Sequence, residues 1–170
     1  MPDGADQNPY TLEPLYIYAK TNSDMIQRIQ TIFLALAAAA NFGLFSAPFA
    51  STPGDVATNA LFTDGEYNIQ DNVGLILFFS LAGLLALAGI FLYQNRKLQM
   101  RVVIFSVAAL VVGIAFCLIY YLNHSAGLES TEVNDGFGLY LPVLGLIFTL
   151  VAYRFINKDE KLVRSMDRLR

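Results

Sequence analysis

The sequence has one cysteine, one histidine and no tryptophan. A single cysteine, Cys117, excludes a disulfide within the chain, and we expect it to be an apolar packing residue. His124 has no second histidine or cysteine near it, which excludes the spacing of a zinc site. The motifs of a nucleophile elbow, a phosphate loop and a dinucleotide fingerprint are also missing. The sequence therefore assigns no catalytic, cofactor-binding or metal-binding residue, and we expect a protein that is not an enzyme.

Aspartate, glutamate and lysine are missing from four long apolar runs, and the single arginine in them, Arg154, lies near an end. The runs are residues 31–50, 73–93, 102–122 and 137–156. A helix that spans a bilayer needs about 20 apolar residues, and backbone in hydrocarbon must satisfy its own hydrogen bonds, which favours helices. The sequence predicts an all-α membrane protein, a bundle of four transmembrane helices.

Basic residues are missing from residues 51–72 and 123–136, which join the first helix to the second and the third to the fourth. All eleven lysine and arginine residues fall on the other side of the predicted bundle. Because basic loops stay in the cytoplasm, we expect both termini to be cytoplasmic. Anionic lipid headgroups are then the expected partner of the basic face, and nucleic acid is not.

The two ends of the chain differ from the apolar middle. Residues 1–24 are a polar leader that we expect to be mostly disordered. Asp24 and Gln27 fit a capping box, which predicts that the first helix begins there and opens a transmembrane domain over residues 25–157.

A second capping box is predicted at the end of that domain. Asn157 fits an N-cap and Glu160 the third helical position. This pattern predicts that the fourth helix stops near residue 156. Residues 158–170 would then form a separate short amphipathic helix, basic on one face, that rests on the cytoplasmic leaflet.

Two connections carry further structural signals. Asp64-Gly65 separates two short β-prone segments, residues 61–63 and 66–69, which predicts a hairpin. The connection at residues 94–101 is short and contains Arg96, Lys97 and Arg101. We expect it to make the second and third helices antiparallel neighbours.

Ionisable side chains are missing at mid-depth in the predicted bundle, where they would mark proton relays or ion paths. This pattern disfavours a pump or a proton-coupled transporter. Asn41, midway along the first helix, is the most prominent polar side chain there. Its amide needs a partner from a neighbouring helix, which is common in membrane bundles, or a polar ligand.

Small residues recur at a four-residue spacing that lets helices approach closely. We interpret this stripe either as packing within the bundle or as the face of a dimer or partner subunit, and the sequence does not separate the two. The candidate packing residues are Ala35, Ala39, Gly43 and Ala47 in the first helix and Ala109 and Gly113 in the third.

Two terminal motifs resemble a known family. They are residues 25–31, Met-Ile-Gln-Arg-Ile-Gln-Thr, and residues 158–165, Lys-Asp-Glu-Lys-Leu-Val-Arg-Ser, followed by Asp167 to Arg170. The chain from Met25 onward resembles a bacterial family known as domain of unknown function 4293. The resemblance implies a small four-helix protein of the inner membrane with no established activity. Family members begin at the residue that matches Met25, so residues 1–24 are either an extension or a start codon assigned too early.

These observations favour a non-enzymatic accessory or structural subunit of an inner-membrane complex, with a membrane protein or a second copy as partner. The alternative is a binding or transport module for a lipid, quinone or other apolar small molecule, with a cleft near Asn41. The candidate residues for docking of lipid or partner are Arg28, Lys158, Lys161, Arg164, Arg168 and Arg170.

Overall fold

The structure, a computed structural model, describes residues 29–54, 61–125 and 132–167. These residues form four α-helices joined by short strands and 3-10 turns. The helices are α1 (Ile29–Gly43), α2 (Val73–Phe91), α3 (Arg96–His124) and α4 (Leu141–Asp167). The strands are β1 (Ala50–Ser51), β2 (Glu66–Tyr67) and β3 (Asn134–Asp135), and the 3-10 turns are Ile69–Asp71 and Phe137–Leu139.

Three of the helical segments are long and apolar enough to cross a membrane, namely Val73–Phe91, Arg96–His124 and Phe137–Lys161. The described part of α1 is shorter, and at about 1.5 Å per residue it covers roughly 22 Å of a hydrocarbon layer about 30 Å thick. A mostly helical protein with three candidate spans is therefore confirmed, and the fourth span stays a prediction. The capping box at Asp24 and the leader lie outside the described residues.

The helices pack through direct side-chain contacts. Ser106 in α3 donates to the main-chain oxygen of Ala82 in α2 at 2.8 Å, and the prediction that α2 and α3 are antiparallel neighbours is confirmed. The Phe33 ring of α1 stacks on Phe155 of α4, with ring centroids 5.8 Å apart. Asn41, late in α1, lies beside Gly145, early in α4. Phe33 lies earlier in α1 and Phe155 further along α4, so these two helices are also antiparallel.

A small antiparallel sheet covers one end of the bundle, which we call the sheet end. Its strand order is β2-β1-β3, with Ala50 opposite Tyr67 on one side and opposite Asp135 on the other. The opposite end contains the connection between α2 and α3 and the last turns of α4. We call it the basic end, because Arg96, Lys97 and Lys158 lie there.

The predicted hairpin is wrong in its pairing. Asp64-Gly65 does form a turn, in which the Gly65 N–H donates to the Phe62 oxygen at 3.2 Å and Gly65 takes the positive φ of 80° that suits glycine. The strand that follows pairs with β1, however, and not with residues 61–63. The first helix also ends at Gly43 rather than near residue 50, because the chain turns there to enter the sheet.

The predicted break at Asn157 is wrong as well. Helix α4 runs without interruption from Leu141 to Asp167, which is 27 residues, so no separate tail helix starts at residue 158. The physical reason is tertiary, because Arg96 of α3 holds Asp159 in the middle of the supposed cap. Helix α3 also starts earlier than predicted, at Arg96, where the Asn95 side chain accepts from the Leu98 N–H as N-cap.

Candidate functional site

Three buried polar side chains lie in one layer at the basic end. The helices close there around a buried apolar cluster of Leu34, Val103, Ala152 and Ile156. One helical turn further toward the basic end, each of three helices places a polar side chain on its buried face: Gln30 in α1, Gln99 in α3 and Asp159 in α4. Their exposed fractions are only 2%, 1% and 1%. We call these three residues the polar layer.

The amide of Gln99 has a fixed orientation. Its Nε2 donates to the main-chain oxygen of Gly89 in α2 at 2.8 Å, so its Oε1 is the atom left without a hydrogen-bond partner. Gln30 Oε1 is also buried without a partner. Buried acceptors are normally paired, so two such amides at one level are unusual.

Asp159 forms the ionic part of the polar layer. Arg96 Nη1 lies 3.1 Å from Asp159 Oδ2 and donates to the Asp159 main-chain oxygen at 3.3 Å. Neither carboxylate oxygen receives a well-directed hydrogen bond. Arg96 is 24% exposed, whereas Asp159 is almost fully buried. The ion pair joins α3 to α4 and leaves hydrogen-bonding capacity unused on the carboxylate.

The predicted docking residues lie next to this layer where the structure describes them. Lys158, Lys161 and Arg164 are exposed along the last turns of α4. Arg28, Arg168 and Arg170 lie outside the described residues. The structure thus brings half of the predicted basic set onto one helix, on both sides of Asp159 in the sequence.

Asn41 is fully buried, but its one hydrogen bond stays within α1, where Nδ2 donates to the Ala37 oxygen at 2.7 Å. Its Oδ1 is buried without a partner. Glycines of two other helices make room for it, since a Cβ on Gly145 would lie 3.2 Å from Asn41 Nδ2 and one on Gly83 would lie 3.3 Å from Asn41 Cβ. Among the residues that the structure describes, no neighbouring helix supplies a hydrogen-bond partner for Asn41, and the other alternative, a polar ligand, stays a prediction.

The candidate packing residues have different environments. Ala35 and Ala39 are exposed on α1, and Gly43 and Ala47 are half-buried. Gly113 is buried where a Cβ would lie 3.1 Å from Phe78 Cβ. The stripe in α1 therefore faces partly outward, whereas the pair Ala109 and Gly113 in α3 is buried.

An apolar groove lies between α2 and α3, with a volume of about 380 Å³. Its walls contain no polar residue and do not include Asn41. The lining residues are Phe78, Leu81, Leu85, Phe105, Ala108, Ala109 and Val112.

At the sheet end, Tyr67 of β2 enters the bundle. Its side chain is 2% exposed, and its hydroxyl lies 3.2 Å from the Cys117 main-chain oxygen and 3.3 Å from Cys117 Sγ. Burial is the main cause that raises the pKa of the Tyr67 hydroxyl far above its usual range, and the hydrogen bond with Cys117 raises it further. Tyr67 thus stays a neutral donor that fastens the sheet to α3.

The polar layer was not predicted from the sequence. A signal for it exists, because Gln30 precedes Leu34 by four residues, Gln99 precedes Val103 by four, and Asp159 follows Ile156 by three, spacings that place each pair on one helix face. The sequence did not predict that α4 continues past residue 156, so Asp159 was not placed on the buried face of that helix. Among the described residues, no group of three or more histidine, cysteine or acidic side chains is arranged to hold a metal ion.

The comparisons with known proteins give a family and no activity. No curated protein and no solved structure matches the chain. One family model, described as a domain of unknown function (DUF4293), matches residues 26–169. This range covers α1 to α4, the sheet and the polar layer, so the chain belongs to the DUF4293 family.

Proposed function

We propose that this protein is a non-enzymatic accessory subunit of a membrane complex that holds a rigid basic helix at the cytoplasmic surface. The outer surface of the bundle supports its placement in a bilayer. The length and composition of the spans are one reason for this placement. A second reason is that many large apolar side chains on the outward faces are exposed, which in water would favour aggregation. Examples are Leu77, Leu84, Ile104, Phe105 and Leu118. Lipid is the solvent that suits such faces.

In the proposed placement the four helices all cross the inner membrane, and both termini are cytoplasmic. The support is the distribution of charge, since every lysine and arginine that the structure describes lies on the side of the basic end and such loops stay in the cytoplasm. The acids of the β2 region then face the opposite side of the membrane.

The observation that carries the function is the unbroken length of α4. Its 27 residues make a rod about 40 Å long, which exceeds the roughly 30 Å of hydrocarbon. The last turns therefore extend beyond the apolar layer as a continuation of a membrane-spanning helix. Lys158, Lys161 and Arg164 are exposed on this extension, in a fixed orientation relative to the bundle.

The Arg96–Asp159 ion pair holds the base of the extension against α3. A flexible tail loses conformational entropy when a partner orders it, whereas a helix that is already in place avoids that cost. The geometry therefore suits a permanent docking surface for the acidic surface of a partner subunit, with anionic headgroups as additional contacts.

The test is co-purification of the full chain, expressed at its natural level and transferred into lipid nanodiscs, followed by quantitative mass spectrometry. We expect one stoichiometric protein partner. The triple change Lys158→Glu, Lys161→Glu and Arg164→Glu should reduce its recovery at least tenfold.

A matched control makes the same kind of change on the other helix at this end. Lys97→Glu with Arg101→Glu alters two exposed residues of α3 and should leave recovery within twofold. Equal loss in both variants would indicate a general effect of charge and contradict a role for α4. The absence of any stoichiometric partner would overturn the accessory-subunit proposal.

The groove between α2 and α3 favours a second candidate, a binding module for an apolar molecule. Its fully apolar lining and its position along two candidate spans suit a lipid acyl chain. The same mass spectrometry distinguishes the two, since this function predicts one enriched lipid and no protein partner. Ala108→Phe, which fills the groove, should then abolish the enrichment.

A further inference from the structure

The unpaired buried atoms of the polar layer are all acceptors. The buried side-chain oxygens without a hydrogen-bond partner are Gln30 Oε1, Gln99 Oε1, Asp159 Oδ1 and Asp159 Oδ2. Gln99 cannot turn its amide to correct this, because its oxygen would then face the Gly89 oxygen that its Nε2 now binds. Three helices thus supply acceptors at one level, and buried acceptors without a donor are destabilising. These four acceptors suit a donor from outside the protein.

The chemistry of the layer specifies the kind of donor. A cation suits the layer, because the almost fully buried Asp159 carboxylate uses only part of its hydrogen-bonding capacity on Arg96. A primary ammonium group has three N–H donors and no acceptor, which matches three acceptor groups from three helices. Water supplies two donors and no charge. Arg96 supplies charge, but its contacts are with Asp159, and both amide oxygens remain unpaired.

The position of the layer indicates the source of the ammonium. Gly89, which binds Gln99, lies two residues before the end of the candidate span Val73–Phe91. The layer therefore lies where apolar span gives way to basic residues, which is the depth of lipid headgroups in the proposed placement. This step rests on that placement.

A phosphate would find partners beside the layer. Lys97 follows Arg96 directly and Lys158 precedes Asp159 directly, and both lysines are exposed. In an ethanolamine-type headgroup, two carbons and an oxygen separate the ammonium from the phosphate. On α3 and on α4, an exposed lysine lies within one helical turn of a buried acceptor. The site suits a zwitterionic headgroup with a primary amine.

We propose that the polar layer binds the primary ammonium of an aminophospholipid headgroup, while Arg96 moves from Asp159 to the lipid phosphate. The exchange conserves charge, because the lipid ammonium replaces Arg96 as the partner of Asp159, and the lipid phosphate replaces Asp159 as the partner of Arg96. Arg96 is the partly exposed member of the pair, so it is the side chain that can move toward the headgroups. The bound lipid then fixes α1, α3 and α4 together at the base of the α4 extension.

The first test uses the unmodified protein and a series of lipids. Full-length protein in detergent is titrated with phosphatidylethanolamine, its N-methyl and N,N-dimethyl derivatives, and phosphatidylcholine, all with the same acyl chains, and bound lipid is counted by native mass spectrometry. Each methyl group removes one N–H donor and leaves the phosphate unchanged. We expect affinity to fall stepwise, by about tenfold or more across the series, because charge-assisted hydrogen bonds are lost. Equal affinity for all four lipids would overturn the proposal, and so would equal binding of phosphatidylglycerol, which has no ammonium.

Variants then locate the site. Asp159→Asn keeps the shape but removes the charge, and should weaken phosphatidylethanolamine binding about tenfold. Asn41→Leu also removes a buried unpaired oxygen, but one mid-way along the bundle, and should change binding less than twofold. Equal effects of the two variants would place the lipid elsewhere. If Asp159→Asn fails to fold, the series of methylated lipids on the unmodified chain still tests whether the ammonium is bound.

Two further arms separate this site from its alternatives. The unfolding temperature should be the same, within error, in potassium chloride and in choline chloride of equal ionic strength. If potassium stabilises the protein as much as phosphatidylethanolamine does, the layer is a site for a bare cation, and the proposed headgroup site is wrong. Lys161→Glu with Arg164→Glu impairs the proposed docking surface, and should leave lipid binding within twofold. Loss of lipid binding in that variant would mean that surface charge alone holds the lipid, and would also overturn the site.

Discussion

Tyr67 in β2 donates its hydroxyl to the main-chain oxygen of Cys117 in α3 at a distance of 3.2 Å. This bond joins a two-residue strand to a helix fifty residues further along the chain. The Tyr67 ring is also within 5.2 Å of the Phe49 ring, centroid to centroid. One side chain therefore contributes both apolar packing and a hydrogen bond that hold the sheet against the helices.

Tyr67→Phe separates these two contributions. The phenyl ring keeps the apolar contacts, while the Cys117 oxygen loses the hydrogen bond from Tyr67. We expect the free energy of unfolding to fall by about 1 kcal/mol, the usual net value of one hydrogen bond. Detergent-titration unfolding in micelles measures it, and Tyr93→Phe, at an exposed position, is the control with an expected change near zero. A loss as large as that of Tyr67→Ala would show that the hydroxyl, not the ring, holds the sheet.

The same hydroxyl predicts a dependence of stability on alkaline pH. Burial raises the pKa of Tyr67 in the folded protein above the ordinary value of 10.0. A raised pKa means that the unfolded chain loses the proton first, so the stabilisation is complete below about pH 10 and declines as the pH rises further. Unfolding measured from pH 8 to pH 11 should show this decline. The difference between the native chain and Tyr67→Phe isolates it from other groups, and parallel curves for the two proteins would contradict the assignment.

Two glycines near the sheet predict opposite outcomes for the same substitution. A Cβ on Gly136 would overlap the main-chain oxygen of Pro48, so Gly136→Ala forces backbone to move and should cost about 2 kcal/mol or more. A Cβ on Gly54 would have nothing within 4 Å, so Gly54→Ala should be neutral or slightly stabilising. Thermal unfolding of the two variants side by side checks both. A similar shift in both would mean that the approach of Gly136 to Pro48 is not tight in solution.

Helix α4 shows how far sequence alone can reach. Composition predicted an apolar helix there, since hydrocarbon leaves backbone few alternatives. The end of that helix was mispredicted, because Asn157 and Glu160 are good local capping residues and local preference was the only information. What overrides it is an ion pair between Asp159 and Arg96, which lies 63 residues away in the sequence.

The prediction of strand pairing at the sheet end was wrong for the same reason. The turn at Asp64-Gly65 is a local property, and the glycine in it adopts the expected positive φ. The choice of pairing partner is not local, since Ala50 lies opposite both Tyr67 and Asp135, which are distant from it in the sequence. The polar layer combines both problems, because each of its residues is ordinary on its own helix, and only the packing of three helices brings them to one level.

Asn41→Leu tests whether the middle of the bundle holds a polar ligand. Leucine nearly matches asparagine in shape, and the substitution removes a buried oxygen that has no partner together with a hydrogen bond that stays within α1. If the site is only packing, the free energy of unfolding should stay the same or rise by up to about 1 kcal/mol, because burying an unpaired polar group is unfavourable. Ser106→Ala is the contrast, since Ser106 bonds across to α2 and its loss should cost about 0.6 to 1.7 kcal/mol. Both are measured in nanodiscs by thermal unfolding, with bound small molecules identified by mass spectrometry. Loss of a bound molecule in Asn41→Leu, with a fall in stability, would show that Asn41 contacts a ligand and would favour the binding-module function over the accessory subunit.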